Sequence, residues 1–103
     1  MNIISRNTII NFTEKYPKAK NQLLIWYNDI LKNDFENFNQ LKKVYGNASL
    51  VSNQRVVFNI KGNDFRLVVA FIFRRKSCYT IWFGTHKAYD KINVETIEFD
   101  ENL

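Results

Sequence analysis

Residues 64–74, DFRLVVAFIFR, form the segment that most restricts how this chain can fold. Nearly every residue is apolar, and many are β-branched or aromatic, which predicts a β-strand. Side chains alternate across a strand. One face therefore carries Phe65, Leu67, Val69, Phe71 and Phe73, and the other carries Arg66, Val68, Ala70, Ile72 and Arg74. We expect the first face to be core. The second is either a concave anion-binding surface or a strand whose arginine ends reach solvent.

Other strands and turns surround this segment. Residues 50–52 predict a weak strand, Arg55–Ile60 a strong one, and residues 78–83 a third after the long strand. Residues 61–63 and 75–77 are predicted to be the turns between them. The second half of the chain is therefore expected to be an antiparallel sheet of three or four strands.

The first half predicts helices. Residues 6–16 place Ile9, Phe12 and Tyr16 on one face, and Ser5 is a candidate helix cap. Pro17 suits the first turn of a second helix, which is expected to reach residue 33. Its apolar stripe comprises Leu23, Leu24, Tyr27, Ile30 and Leu31. Residues 34–45 suggest a short helix or a packed loop, residues 46–47 a turn, and residues 2–5 an edge strand. The fold class is α+β, with two helices on one face of the sheet.

The chain is short and its charge is uneven. A length of 103 residues allows one small domain and excludes a multidomain enzyme or a full dinucleotide-binding fold. Residues 1–91 carry 15 Lys and Arg against six acidic residues, whereas residues 92–103 carry four acidic residues and no basic one. The basic body is either a polyanion-binding surface, with nucleic acid as the first candidate, or an ordinary solvated surface.

The single Cys78 excludes a disulfide framework and a cysteine-based zinc site. The first residues lack the apolar run of a signal peptide, and no segment is long and apolar enough for a membrane span. We therefore expect a cytoplasmic protein without membrane association.

His86 is the only histidine, and it follows the third strong strand. Histidine can exchange a proton near neutral pH, although a lone histidine is more often structural or solvated. If residues 87–91 form a helical turn, Tyr89 lies on the same side as His86, and Asp90 could instead orient the imidazole. No metal-ligand set or phosphate-binding glycine loop is present in the sequence.

Arginine, lysine, asparagine and one histidine suit metal-free RNA cleavage. In that reaction the substrate supplies its own 2′-OH nucleophile, and the protein aligns it, moves protons and stabilises charge on the phosphorane. The same residues suit an RNA-binding protein whose exposed aromatic side chains stack on bases. Composition does not separate the two.

The segments VFNIKGNDFRLVVAFIF (57–73) and CYTIWFGTHKAYDKI (78–92) resemble the HigB family of bacterial toxins, part of the RelE-like superfamily. The two motifs, F-N-I-x-G-N-x-[FY]-R-L and G-T-H-x-x-Y-D, occur in the family's order and separation. Residues 2–30 also look like that family's first strand and helix pair. The resemblance implies a toxin domain over residues 1–92, followed by an acidic tail over 93–103. We favour a disordered end for this tail; the alternative is that it shields the basic face.

The resemblance implies a type II toxin–antitoxin module. Its toxin would be a ribosome-dependent, metal-free endoribonuclease, an mRNA interferase, that needs no cofactor and leaves a 2′,3′-cyclic phosphate and a 5′-OH. The partner would be a HigA-like helix-turn-helix antitoxin, and operator DNA would be bound only through the complex. Two alternatives remain: a non-catalytic RNA- or ribosome-binding protein of the same fold, and an interaction protein whose basic face serves only the antitoxin.

The resemblance also suggests roles for individual residues. Arg66 would hold the scissile phosphate, His86 would act as general acid or base, and Tyr89 would stack on a base or pack under His86. The expected RNA-binding residues are Asn59, Asn63, Arg74, Arg75, Lys76, Lys87 and Lys91. The expected structural residues of the motifs are Gly62, Thr85 and Asp90.

Overall fold

The computed structural model describes residues 1–4, 6–52 and 54–98. The helical part comprises α1 (Arg6–Lys15), a 3-10 turn (Pro17–Ala19), α2 (Lys20–Lys32) and α3 (Phe38–Val44). The strands are β1 (Asn2–Ile3), β2 (Ser49–Leu50), β3 (Arg55–Ile60), β4 (Phe65–Ile72) and β5 (Ser77–Thr85), and a short helix α4 (His86–Tyr89) follows. No helix in this described part is long and apolar enough to cross a membrane.

The five strands form one sheet in the order β1-β5-β4-β3-β2. The pairs β2–β3, β3–β4 and β4–β5 are antiparallel, whereas β1 is parallel to β5. The α+β prediction is therefore confirmed with one strand more than expected. The predicted edge strand at the N-terminus joins the sheet with Asn2 and Ile3. The proposed cap Ser5 lies outside the described residues.

The main core lies between the helices and one face of the sheet. Phe65, Leu67, Val69 and Phe71 of β4 are buried there, and Phe73 is partly buried against them, as the alternation predicted. In α2 the buried residues are Leu23, Trp26 and Ile30. The predicted stripe contained Tyr27 and Leu31 but omitted Trp26, whose ring packs edge-on to Phe58 at a centroid distance of 5.4 Å. Leu31 is exposed instead.

Strand β4 is shorter than the sequence predicted because the chain turns earlier. Residues Phe73–Arg75 form a 3-10 turn, which ends at Lys76 in the left-handed region with φ 52°. The Phe73 ring still stacks on Phe71, at a centroid distance of 5.3 Å. Strand β5 then begins at Ser77 and continues to Thr85, which brings it directly to α4.

The sheet face away from the helices carries a second apolar cluster, composed of Val57, Val68, Ala70 and Ile81. Val94 and Ile97 pack against it, so residues 93–98 cover part of this face. The buried Arg55 guanidinium donates hydrogen bonds to the carbonyls of Val94 at 2.9 Å and Ile97 at 2.6 Å. The favoured expectation of a disordered end is therefore wrong for residues 93–98. Residues 99–103 lie outside the described residues.

Candidate functional site

Two loops meet at one end of the sheet, on the face opposite the helices. Arg66 pairs with Asn59 of β3 on one side and with Gly84 of β5 on the other. Just beyond this row lie the β3–β4 turn and the start of α4. The register of the sheet therefore brings the first motif, which ends around Arg66, next to the second motif, which contains His86.

The Arg66 guanidinium is held by several contacts. Its Nη1 donates to the carbonyls of Asn63 at 3.2 Å and Phe65 at 3.1 Å. Its Nη2 donates to Asn63 Oδ1 at 2.6 Å and lies 3.4 Å from His86 Nδ1. Asn63 thus positions Arg66, and Arg66 in turn contacts the imidazole. A guanidinium restricted in this way presents a fixed positive charge, which suits phosphate recognition.

The contacts of His86 favour one proton arrangement. Arginine has only donors, so the contact with His86 Nδ1 is a hydrogen bond only when Nδ1 carries no proton. In the neutral ring the proton then lies on Nε2, which faces Asp90 Oδ2 at 3.7 Å. The side chain is 43% exposed. Arg66, His86 and Asp90 therefore form a connected series that is open to a substrate.

Backbone contacts fix where His86 lies. The His86 N–H donates to the carbonyl of Asp64 at 2.9 Å, which ties α4 to the β3–β4 turn. Thr85 caps α4, since its Oγ1 accepts a hydrogen bond from the Ala88 N–H at 3.1 Å. In the turn itself, Lys61 and Gly62 adopt positive φ values of 56° and 62°. These features hold the two loops together as one unit.

The surface around His86 is a shallow pocket with a volume of about 520 Å³. It is lined by Asn63, Asp64, Thr85, His86, Lys87 and Asp90. Four of these residues belong to the two motifs, and Lys87 adds a cation beside His86. Asp64 was not predicted as a site residue, although it directly follows Asn63 of the first motif, and this position was the signal that could have identified it. The pocket is thus polar, with both signs of charge.

Tyr89 is directed toward the second apolar cluster. Its ring packs against Trp82 at a centroid distance of 6.2 Å with an angle of 52° between the rings. Burial raises the pKa of the Tyr89 hydroxyl, the positive charge of Arg66 opposes this, and Asp90 adds to the increase. The phenol therefore keeps its proton at neutral pH, which suits a donor but not a base. The sequence had left open whether Tyr89 stacks on a base or packs under His86.

The remaining expected RNA-binding residues are spread over the sheet. Lys91 is exposed just after α4, and Asn59 is half-buried beside Arg66. Arg74, Arg75 and Lys76 lie beyond the far end of β4, roughly 20 Å from Arg66 at ~3.4 Å per strand residue. Arg74 and Arg75 line a separate pocket with Gln54, so the structure separates these three basic residues from His86.

Two residues beside Arg66 were missed by the sequence analysis. Gly84 pairs directly with Arg66, and Trp82 pairs with Val68, one row further along the same face. The alternation along residues 78–85 would have placed both on one face, but only the register of β5 against β4 places them beside Arg66. Among the described residues, no group of three His, Cys, Asp or Glu side chains is arranged to hold a metal ion.

Comparison with known proteins gives the family. Residues 19–92 match the protein-family model described as HigB_toxin, the RelE-like toxic component of a toxin–antitoxin system. The chain belongs to the HigB toxin family. It is also 33% identical over 92 residues to the mRNA interferase toxin HigB of Escherichia coli K12, covering 87% of this chain and 88% of that protein. The proteins named mRNA interferase HigB in Escherichia coli O157:H7 and Shigella flexneri match to the same extent.

The resemblance to the HigB family inferred from the two sequence motifs is therefore confirmed. The matched range 19–92 includes every residue expected at the site, from Asn59 in β3 to Lys91 after α4. As the toxic component of a toxin–antitoxin system, a HigB-family protein has an antitoxin as its partner.

Proposed function

We propose that this chain is an mRNA interferase, an endoribonuclease that cuts translated mRNA on the ribosome and so inhibits translation and growth. The observation that carries the proposal is the Arg66–His86 contact at 3.4 Å, beside the open polar pocket that His86 lines. A fixed guanidinium next to an exposed imidazole supplies charge stabilisation and proton transfer at one place. The related proteins named mRNA interferase support the same activity.

The proposed reaction needs no cofactor. The ribose 2′-oxygen attacks phosphorus, a new 2′-O–P bond forms, and the bond to the 5′-oxygen breaks. One proton leaves the 2′-OH and one is delivered to the 5′-oxygen, which leaves a 2′,3′-cyclic phosphate and a 5′-OH. Arg66 stabilises the charge that accumulates on the phosphorane oxygens in the transition state.

His86 is the proposed general base in this reaction. In its neutral form it can take the 2′-OH proton, and substrate phosphate would replace it as the partner of Arg66. Tyr89, whose phenol keeps its proton at neutral pH, is the proposed proton donor to the 5′-oxygen. Asn59, Asn63 and Lys87 would position the RNA, with Asn63 acting partly through Arg66. Gly62, Thr85 and Asp90 would hold the two loops in place.

Further basic residues would contact RNA away from the bond that is cut. Lys91 lies near the site, whereas Arg74, Arg75 and Lys76 lie at the far end of the sheet. Because a single scissile phosphate cannot contact both ends of the sheet, we propose that Arg74, Arg75 and Lys76 bind ribosomal RNA or a distant segment of mRNA. We place the protein in the cytoplasm, where translation takes place.

The toxin domain is proposed to span residues 1–92, with residues 93–98 packed on its sheet as an extension. The proposed partner is a HigA-like antitoxin with a helix-turn-helix domain, which would provide operator DNA binding for the complex. An antitoxin of this kind should suppress cutting when added in equal amount, and only the complex should shift an operator fragment in a gel. An operator shift by the toxin alone would contradict this part.

Cell-free translation with mapping of mRNA 5′ ends tests the activity. We expect new 5′-OH ends within codons, and we expect them to disappear when initiation is blocked. His86→Ala and Arg66→Met should each reduce cutting by at least about a hundredfold, in line with the ~10²–10⁴-fold contribution of a general acid or base and the ~10²–10³-fold contribution of a charge-stabilising donor. Arg6→Met, which removes an exposed guanidinium from α1, is the matched control and should cut normally.

Each other outcome has a distinct meaning. Cuts that persist without translation would support the nuclease activity but would show that the ribosome is not required. Absence of cuts, with translation still inhibited by the unaltered chain and by His86→Ala alike, would favour a non-catalytic ribosome-binding protein. If the unaltered chain left translation unimpaired, both the mRNA interferase and the non-catalytic ribosome-binding protein would be wrong.

A further inference from the structure

Trp82 lies one row away from Arg66 on the same face of the sheet. Arg66 pairs with Gly84, and Val68, two residues further along β4, pairs with Trp82. Successive rows on one face are separated by ~7 Å, twice the rise per strand residue. The Trp82 side chain is therefore about one nucleotide length from the guanidinium of Arg66, which is proposed to hold the scissile phosphate.

Gly84 shows in which direction the indole points. A Cβ built on Gly84 would come within 2.6 Å of Trp82 Cη2 and 2.7 Å of Cζ2. The six-membered part of the indole therefore extends along β5 over Gly84, toward the row that contains Arg66. Gly84 does not have a positive φ, since Gly62 is the one glycine with that conformation in the described residues. Glycine is thus required at position 84 to give the ring space and not for backbone freedom.

The surroundings hold the indole while leaving part of it exposed. Tyr89 contacts the ring at a centroid distance of 6.2 Å, and the cluster of Val57, Val68, Ala70 and Ile81 supports it. These four supporting residues are buried, whereas Trp82 is only half-buried. A supported and partly exposed indole next to a phosphate-binding arginine is the arrangement that binds a base of single-stranded RNA by stacking.

We propose that Trp82, lying over Gly84, is a stacking platform for the nucleobase adjacent to the phosphate that Arg66 holds. The inference rests on the proposed function and extends it to a base-binding subsite. Its ligand is an unpaired base of the mRNA. Stacking requires the aromatic face of the base and no particular hydrogen-bond pattern, so the subsite accepts any base and loses binding when the base is missing.

The expected effects follow from the usual strength of stacking. Removal of one base–aromatic contact weakens binding by about five- to 150-fold, which corresponds to ~1–3 kcal/mol. Trp82→Leu keeps an apolar side chain but removes the aromatic face, so it should show this loss. Trp82→Phe keeps a smaller aromatic face and should retain most of the cutting. Gly84→Ala should behave like Trp82→Leu because its methyl group displaces the indole.

The test uses single-turnover cutting of a ribosome-bound mRNA with a free decoding site, and the 5′ ends are mapped. The message carries either the natural base or an abasic nucleotide on each side of the mapped cut. The unaltered chain should cut one of the two abasic messages about five- to 150-fold more slowly. Trp82→Leu should cut the natural message at that reduced rate and should respond little to the abasic change.

A double-mutant comparison separates stacking from a purely structural role. If Gly84 acts only by seating the indole, Gly84→Ala should cost nothing further when Trp82 is already leucine. Thermal unfolding identifies any variant that fails to fold, and the abasic comparison on the unaltered chain needs no variant at all.

Two results would overturn the inference while leaving the proposed function intact. The first is that the unaltered chain cuts abasic and natural messages equally well. The second is that Trp82→Leu remains as sensitive to the missing base as the unaltered chain. If the unaltered chain cut no mRNA, the proposed function would fail, and the base-binding subsite would fail with it.

Discussion

Arg55 provides a direct test of how the C-terminal segment is held on the sheet. The arginine is only 9% exposed, and its guanidinium donates to the carbonyls of Val94 and Ile97. A buried charge of this kind is tolerated because carbonyl oxygens replace the lost water. We expect Arg55→Met to keep the aliphatic stem packed and to remove both hydrogen bonds.

The size of the effect follows from these contacts. A hydrogen bond from a charged donor contributes ~1.5–3 kcal/mol net, so the two bonds set an upper range of ~3–6 kcal/mol. The variant no longer has to bury a charge, which offsets part of the loss. We therefore expect the free energy of unfolding to fall by about 2–4 kcal/mol. For a domain of this size, that lowers the midpoint by roughly 10–30 °C.

Urea and thermal unfolding, followed by circular dichroism, measure this loss. Arg75→Met is the matched control because Arg75 is exposed, and it should change the free energy by less than ~0.5 kcal/mol. Glu98→Gln should also have a small effect, since its contact with Arg55 is long at 3.8 Å and its side chain is exposed. If Arg55→Met were as stable as the control, the two hydrogen bonds would not hold residues 93–98.

Four further predictions concern three positions. Burial raises the pKa of the Cys78 thiol to about 12, so a thiol reagent at pH 8 should label it only after unfolding. The same shift in the pKa of Cys78 should lower the free energy of unfolding as pH rises from about 9 toward 12, by up to ~1.4 kcal/mol per pH unit, because the unfolded chain loses this proton first. Urea unfolding of the chain and of Cys78→Ala at alkaline pH measures this loss. An equally steep loss in Cys78→Ala would contradict the prediction. Gly62→Ala should cost about 1–2 kcal/mol in urea unfolding because φ is +62°, although the described residues leave space for a Cβ. Gly46→Ala, its control without a positive φ, should be nearly neutral. Thr85→Val should cost ~1 kcal/mol by loss of the cap and should slow mRNA cutting, and normal cutting would show that the cap does not position His86.

Local sequence patterns predicted most of the secondary structure because apolar residues recur at different spacings in helices and in strands. Arg55–Ile60 was predicted with its exact ends, and the first helix began at Arg6 as expected. The orientation of α2 was predicted less well, since Trp26 is buried where Tyr27 was expected. Neighbouring residues differ by about 100° around a helix, and the sheet surface that selects between them is not encoded in the helix itself.

Pairing between distant segments could not be predicted in this way. Strand β1 has two residues, and its parallel pairing with β5 depends on where the first helix directs the chain. The contact between Arg66 and His86 likewise depends on the register of β4 against β5. Their proximity was implied by the family resemblance, but the geometry was not. The basic residues 74–76 were grouped with Arg66 as RNA-binding by residue type, although the predicted strand over residues 64–74 already placed Arg66 and Arg74 near its opposite ends.

The second face of the sheet explains why the proposed chemistry is confined to one end. The middle of this face consists of apolar residues, which Val94 and Ile97 cover. Arg55 donates hydrogen bonds to the backbone carbonyls of these two residues and so fixes residues 93–98 on the sheet. The row with Arg66 remains outside this cover, and Trp82 lies at the boundary between the two. RNA bound at the proposed site would therefore contact polar side chains on one side of Arg66 and the partly exposed indole on the other. If Arg55→Met released the segment, we would expect stability to fall first, and cutting to fall only if Trp82 lost its support.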